Sequence, residues 1–118
     1  MGLLVQGEWR DEWYDTSETK GRFKRTVSQF RGWVREDPTS CFPAASGRYH
    51  LYVSYACPWA HRTLIFRELK GLESVIGVST VHPLMLEHGW SFSEPFSDPL
   101  GDRRHLFEVY QAADPKYT

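Results

Sequence analysis

The sequence predicts an α/β protein: a strand–helix–strand unit, a long connection and a second helix, with the sheet left incomplete. Three observations carry this. Tyr49, Leu51 and Val53 alternate with His50, Tyr52 and Ser54 in a run of high β propensity. The segment PWAHRTLIFRELKG then sets Leu64, Ile65, Leu69 and Leu72 on a helical stripe. A second β-rich run, SVIGVSTVH, follows directly. Strands separated by a helix imply a right-handed crossover and a parallel pair. Two strands make a poor sheet, so the chain reads as an α/β unit cut from a longer protein.

The elements follow in chain order. Residues 1–21 show no period and are expected to be irregular, with Trp9, Trp13 and Tyr14 packing on a neighbouring surface. Phe23, Val27, Phe30 and Val34 have helical spacing, with basic residues between them. Residues 36–48, rich in proline, glycine and small residues, are a loop. The strand at Tyr49–Val53 comes next, then a helix opened by Pro58, which loses nothing at the first helical position. Gly71 suits its end, with Arg67 and Lys70 favourable in the last turn. The second strand is expected to be interrupted at Gly77. PLMLEHGWSFSEPFSDPLGD is a connection, and RHLFEVYQAAD is a helix stopped near Pro115.

Composition narrows the function classes. The chain has 118 residues, 25% charged and 41% hydrophobic, as in a globular domain. A formal net charge of −1 predicts neither nucleic acid nor an anionic membrane as partner. No apolar run approaches the ~20 residues of a membrane span, and the N-terminus lacks the pattern of a secretory signal. A cytoplasmic location is therefore expected. Two cysteines, Cys41 and Cys57, are too few for a disulfide scaffold. Five tryptophans suggest a dense small core or aromatic-lined sites.

Cys57 is the residue that points to chemistry. It lies between a strand end and a helix start. A helix N-terminus presents unpaired N–H groups and the positive end of the helix dipole, and both favour thiolate over thiol. The residue three places on is Ala60, so no local thiol could resolve a disulfide. Any chemistry would use one protein thiol and an outside one such as glutathione. A lone cysteine in a small protein is commonly an inert buried residue. The strand end, the Cys-Pro step and the helix start tip the balance toward a nucleophile. Cys57 and His61, with His50, His82 and His88, show no paired ligand spacing, and no metal is expected. Cys41 lies in a small-residue loop and is assigned no role.

The runs GEWRDEWYDT, GRFKRTVSQFRGWV, RYHLYVSYACPWAHRTLIFRELKGLE and HPLMLEHGW together resemble the glutathionyl-hydroquinone reductases, the Xi class of the glutathione transferases. The likeness covers essentially the whole chain. It implies an N-terminal extension over 1–48 and a partial thioredoxin-like, glutathione-binding domain over 49–118. The rest of that domain and an all-helical domain would lie outside this chain. The activity implied is reduction of S-glutathionyl-hydroquinones to hydroquinones, with glutathione as co-substrate and no metal. Cys57 matches the nucleophile of that family. Trp90 matches a tryptophan that lies against glutathione, while Pro58 and Trp59 match the motif around the sulfur. His61 and Arg62 receive no role. The family forms homodimers. Its cis-proline strand, its Glu-Ser pair and the tyrosines of its hydroquinone pocket have no counterpart before Thr118, so these 118 residues alone are expected to turn over little. Two rival readings stand beside this one: a glutaredoxin-like or omega-like deglutathionylase, and a non-catalytic module with Cys57 inert.

Overall fold

The computed structural model describes residues 2–12, 17, 19–22 and 27–118. Its elements are strands β1 (Leu3–Val5), β2 (Glu8–Arg10), β3 (Tyr49–Val53) and β4 (Ile76–Thr80), and helices α1 (Pro58–Leu69) and α2 (Phe107–Ala113). The strand–helix–strand–loop–helix order expected over the second part of the chain is present.

Residues 3–10 are not irregular. β1 and β2 form an antiparallel hairpin that pairs Leu4 with Trp9. Its turn is Gln6-Gly7, with φ of 51° and 83°. Two consecutive left-handed residues match the twist of the flanking strands. A hairpin this short is not stable alone, and its support comes from the far end of the chain. The Gly7 N–H donates to the Tyr117 carbonyl at 2.9 Å. The Gln111 side chain donates to the Gly7 carbonyl at 2.6 Å, and the Gln6 N–H to the Thr118 hydroxyl at 2.8 Å.

Trp9 does pack on a neighbouring surface. Its ring stacks on Phe107 with centroids 4.8 Å apart, and its indole N–H donates to the Glu87 carbonyl at 3.0 Å. Trp13 and Tyr14 lie outside the described residues. Replacing Trp9 by alanine removes the stack and the hydrogen bond together. It is expected to destabilise the fold by about 2 kcal/mol, read as a lower urea midpoint at unchanged slope.

The helix expected from Phe23 to Val34 is absent from 27–34, and Phe23 itself lies outside the described residues. The segment has no regular structure, and Val27 and Trp33 are exposed. An apolar stripe stabilises a helix only when something covers it. Here Phe30 goes elsewhere, stacking with Tyr117 at 5.0 Å and Tyr110 at 6.3 Å. The loop that follows is tied back at its ends: the Arg35 N–H donates to the Phe42 carbonyl, and the Ala44 N–H to the Arg35 carbonyl.

β3 and β4 are parallel, pairing Tyr49 with Ile76 through to Val53 with Thr80. β4 runs unbroken through Gly77, contrary to the interruption expected there. Gly77 faces His50, and a Cβ on it would stand 2.7 Å from the His50 ring nitrogen. The glycine makes room for that ring, whose other nitrogen lies 2.8 Å from the Ser79 hydroxyl. α1 ends as anticipated at Gly71, with φ of 63°. Arg67 serves the turn beyond, donating to the carbonyls of Ile76 at 2.8 Å and Glu73 at 2.9 Å. Of the predicted α1 stripe, Leu64 and Leu72 are half-buried while Ile65 and Leu69 are exposed.

Among the described residues, the buried apolar side chains are few: Leu4, Val53 and Val81. A polar hub adds to them. Asp98, with 0% of its side chain exposed, accepts from Arg103 at 2.9 Å. The Tyr52 hydroxyl donates to it at 2.6 Å and the Leu100 N–H at 3.0 Å. This hub fastens the long connection to β3.

Candidate functional site

The turn from β3 into α1 is built by Ser54, which is 2% exposed. Its hydroxyl accepts the Ala56 N–H at 3.2 Å, and its carbonyl accepts the Cys57 N–H at 3.0 Å. The turn therefore folds back at the strand end and delivers Cys57 to the head of α1. Cys57 caps that helix with φ −96° and ψ 114°, and its carbonyl accepts the His61 N–H at 3.1 Å. Extended geometry with a carbonyl already in the helix is the pattern of a cap residue. The sulfur makes no capping bond, and the thiol is free and partly exposed.

α1 is a 12-residue helix with no acidic residue in its first turn. Pro58 holds the first helical position, as predicted. Trp59 is 57% exposed, and the Arg62 guanidinium carbon lies 4.3 Å from its ring centre. His61 is exposed, and so is Cys41.

Trp90 reaches the same end of the sheet from β4. The parallel register continues past both strands through the Val81 N–H, which donates to the Val53 carbonyl at 2.9 Å. The His82 N–H then donates to the Ser91 carbonyl, and the Leu106 N–H to the Trp90 carbonyl, each at 2.9 Å. Both β3 and β4 thus run out toward the same side, the usual place for a ligand in open parallel sheets. The Trp90 indole nitrogen is buried without a hydrogen-bond partner among the described residues. Buried N–H groups are rarely left so.

Sequence reasoning missed Ser54, which was readable as a serine turn, since a hydroxyl can accept the N–H two residues on. Tyr110 lies on α2. Its hydroxyl holds its proton more tightly than an ordinary phenol. Burial disfavours the phenolate, and the charges that Tyr117 and Cys57 would carry repel it.

A separate groove of about 1080 Å³ runs between α1 and the sheet. It is lined by Val34, Leu51, Trp59, Phe66 and Ile76 among others, and includes neither Cys57 nor Trp90. Among the described residues, no group of three His, Cys, Asp or Glu could hold a metal ion. No described helix is long and apolar enough to cross a membrane.

No family model matches the chain. It is 52% identical, over its whole length, to the glutathionyl-hydroquinone reductase YqjG of Escherichia coli, of which it covers 39%. Among solved structures, the Xi-class glutathione transferase of Natrialba magadii superposes with a TM-score of 0.81 at 45% identity. That match takes in 99% of this chain and 35% of the other. The glutathione-bound structure of E. coli YqjG superposes with a TM-score of 0.77 at 44% identity, over 98% and 35% of the two chains. The chain thus spans little more than a third of the relatives it matches. Over that span its sequence and fold are similar to those of the Xi-class glutathione transferases.

Proposed function

We propose that this Xi-class chain carries the nucleophile of a glutathione-dependent reductase acting on S-glutathionyl-hydroquinones. One observation carries the proposal: the free Cys57 thiol at the head of α1, with no acid in the first turn and Ala60 in place of a second thiol. The relative named as a glutathionyl-hydroquinone reductase, over half identical, supplies the substrate class. In this reading the Cys57 thiolate attacks the glutathione sulfur of the conjugate and expels the hydroquinone. A second glutathione then attacks the mixed disulfide, leaving oxidised glutathione and Cys57.

In the same reading each neighbour has a role that its position supports. Pro58 starts the helix and shapes the turn. Trp90 lies against glutathione. Trp59, next to Pro58 in the first turn, shapes the glutathione side of that turn with it. Residues 1–48 form the extension, and 49–118 form part of the glutathione-binding domain. The whole protein acts as a homodimer in the cytoplasm, where reduced glutathione is abundant.

The test uses the natural full-length protein with glutathione and a glutathionyl-hydroquinone, following release of hydroquinone and oxidised glutathione. Turnover of the conjugate with no activity on glutathionylated protein supports the proposal. Activity confined to glutathionylated protein would establish the deglutathionylase reading instead. In the same protein, Trp90→Ala removes the ring. It is expected to weaken glutathione about 10-fold in a calorimetric titration, the effect of one lost aromatic contact.

A further inference from the structure

We propose that the groove between α1 and the sheet is a second binding site, one that takes an aromatic organic anion apart from Cys57. The groove holds about 1080 Å³ and includes neither Cys57 nor Trp90. That is the size of a site enclosing a drug-sized molecule. β3 contributes Leu51 to its lining, and the segment before β3 contributes residues 44–46. α1 contributes Trp59, Arg62, Phe66 and Lys70. These four recur at intervals of three and four, so they share one face of the helix. Phe66 is 60% exposed on that face, which leaves its ring open to a stacking partner.

Charge selects the ligand. Among the described residues that line the groove, none is Asp or Glu, whereas Arg62, Arg67 and Lys70 are all cations. Arg67 is already engaged, by the carbonyls of Ile76 and Glu73 and by the Glu73 carboxylate at 3.8 Å. Arg62 and Lys70 are not. Neither has an ion pair or a side-chain hydrogen bond among the described residues, and the Arg62 guanidinium rests only on the Trp59 ring. The rise of the helix sets these two cations about 12 Å apart, one toward each end of the face. A carboxylate or sulfonate therefore meets an unpaired cation whichever way its ring system lies along Phe66. A cationic ligand is repelled at both ends, and a small inorganic anion leaves the apolar lining uncovered. No covalent step is involved.

Two fluorescent probes with one apolar body provide the test. Anilinonaphthalene sulfonate carries the anion, and N-phenylnaphthylamine lacks it. Both are titrated into the natural full-length protein with glutathione held at saturation. Each should bind at one site. The double variant Arg62→Gln, Lys70→Gln should weaken the sulfonate about fivefold, the scale of one partly exposed ion pair. It should leave the neutral probe within about 1.5-fold. Phe66→Ala should weaken both probes about threefold, because both stack on the ring. An equal effect of the double variant on the two probes overturns the proposal, and so does no effect on either. Displacement of the sulfonate by glutathione also overturns it, by placing the probe at the Cys57 site. If neither probe binds the full-length protein, another segment of the chain or a second copy covers the groove, and the proposal fails.

Discussion

Replacing Cys57 by serine is expected to abolish both the glutathione adduct and turnover, with little change in stability. The thiol is free and makes no capping bond, so its removal breaks no contact that holds the turn. The turn is held instead by Ser54, through the N–H groups of Ala56 and Cys57. Those bonds involve the backbone of residue 57, which serine keeps, and a serine hydroxyl is itself a favoured helix cap. The loss is therefore one of nucleophilicity: an alcohol at neutral pH lacks the thiolate's reactivity. Intact mass after exposure to oxidised glutathione, with peptide mapping, reads the outcome. One reducible adduct on Cys57 in the parent and none in the variant is the expected pair. Cys41 is exposed in an irregular loop with no helix behind it, and serves as the internal control. An adduct that persists on the serine variant would move the chemistry to another residue.

Replacing Asp98 by asparagine is expected to destabilise the fold by about 3–5 kcal/mol, the typical cost of leaving one partner of a buried charged pair alone. The carboxylate is fully enclosed. Burial by itself pushes its pKa up. The Tyr52 hydroxyl, the Leu100 N–H and the two Arg103 donors outweigh that and hold it well below the usual carboxylate range. The same hub pushes Tyr52 up to about 12, through burial first and the bond to Asp98 next. The signs give a pH window. A carboxylate depressed in the folded state contributes stability that is complete above its unfolded value of ~3.9 and is lost as pH falls below it. A phenol raised in the folded state contributes stability that is present below ~10 and is lost as pH climbs toward 12. Urea midpoints between pH 2 and 7 should therefore fall steeply at the acid end in the parent and more shallowly in Asp98→Asn. Matching midpoints and slopes in both proteins would show that the hub contributes nothing.

The parts readable in advance are those whose cause is local. β3 alternates and is rich in β-branched and aromatic residues. Pro58 and Gly71 mark the two ends of α1 by backbone chemistry alone. The strand–Cys–Pro–helix order places Cys57 at a cap whatever surrounds it, which is why the sulfur's position was legible. The parts misread depend on distant partners. The hairpin at 3–10 has strands of three residues and is held by Tyr117, Gln111 and Thr118. Residues 27–34 have helical spacing, but Phe30 finds its partners on Tyr110 and Tyr117. Gly77 looked like a break because a missing side chain weakens a strand on average. The space it leaves is filled by His50 from the paired strand.

By itself the sequence determined the α/β order, the parallel pair, the two ends of α1 and the cysteine at its head. Each follows from backbone preference and from side-chain period over a few neighbouring residues. Tertiary structure alone decided that the two ends of the chain embrace, that Asp98 gathers Tyr52 and Arg103, and that the Leu106 N–H meets the Trp90 carbonyl. Those contacts link residues far apart in the chain. Their formation depends on which surfaces find partners, and a local pattern carries no record of that.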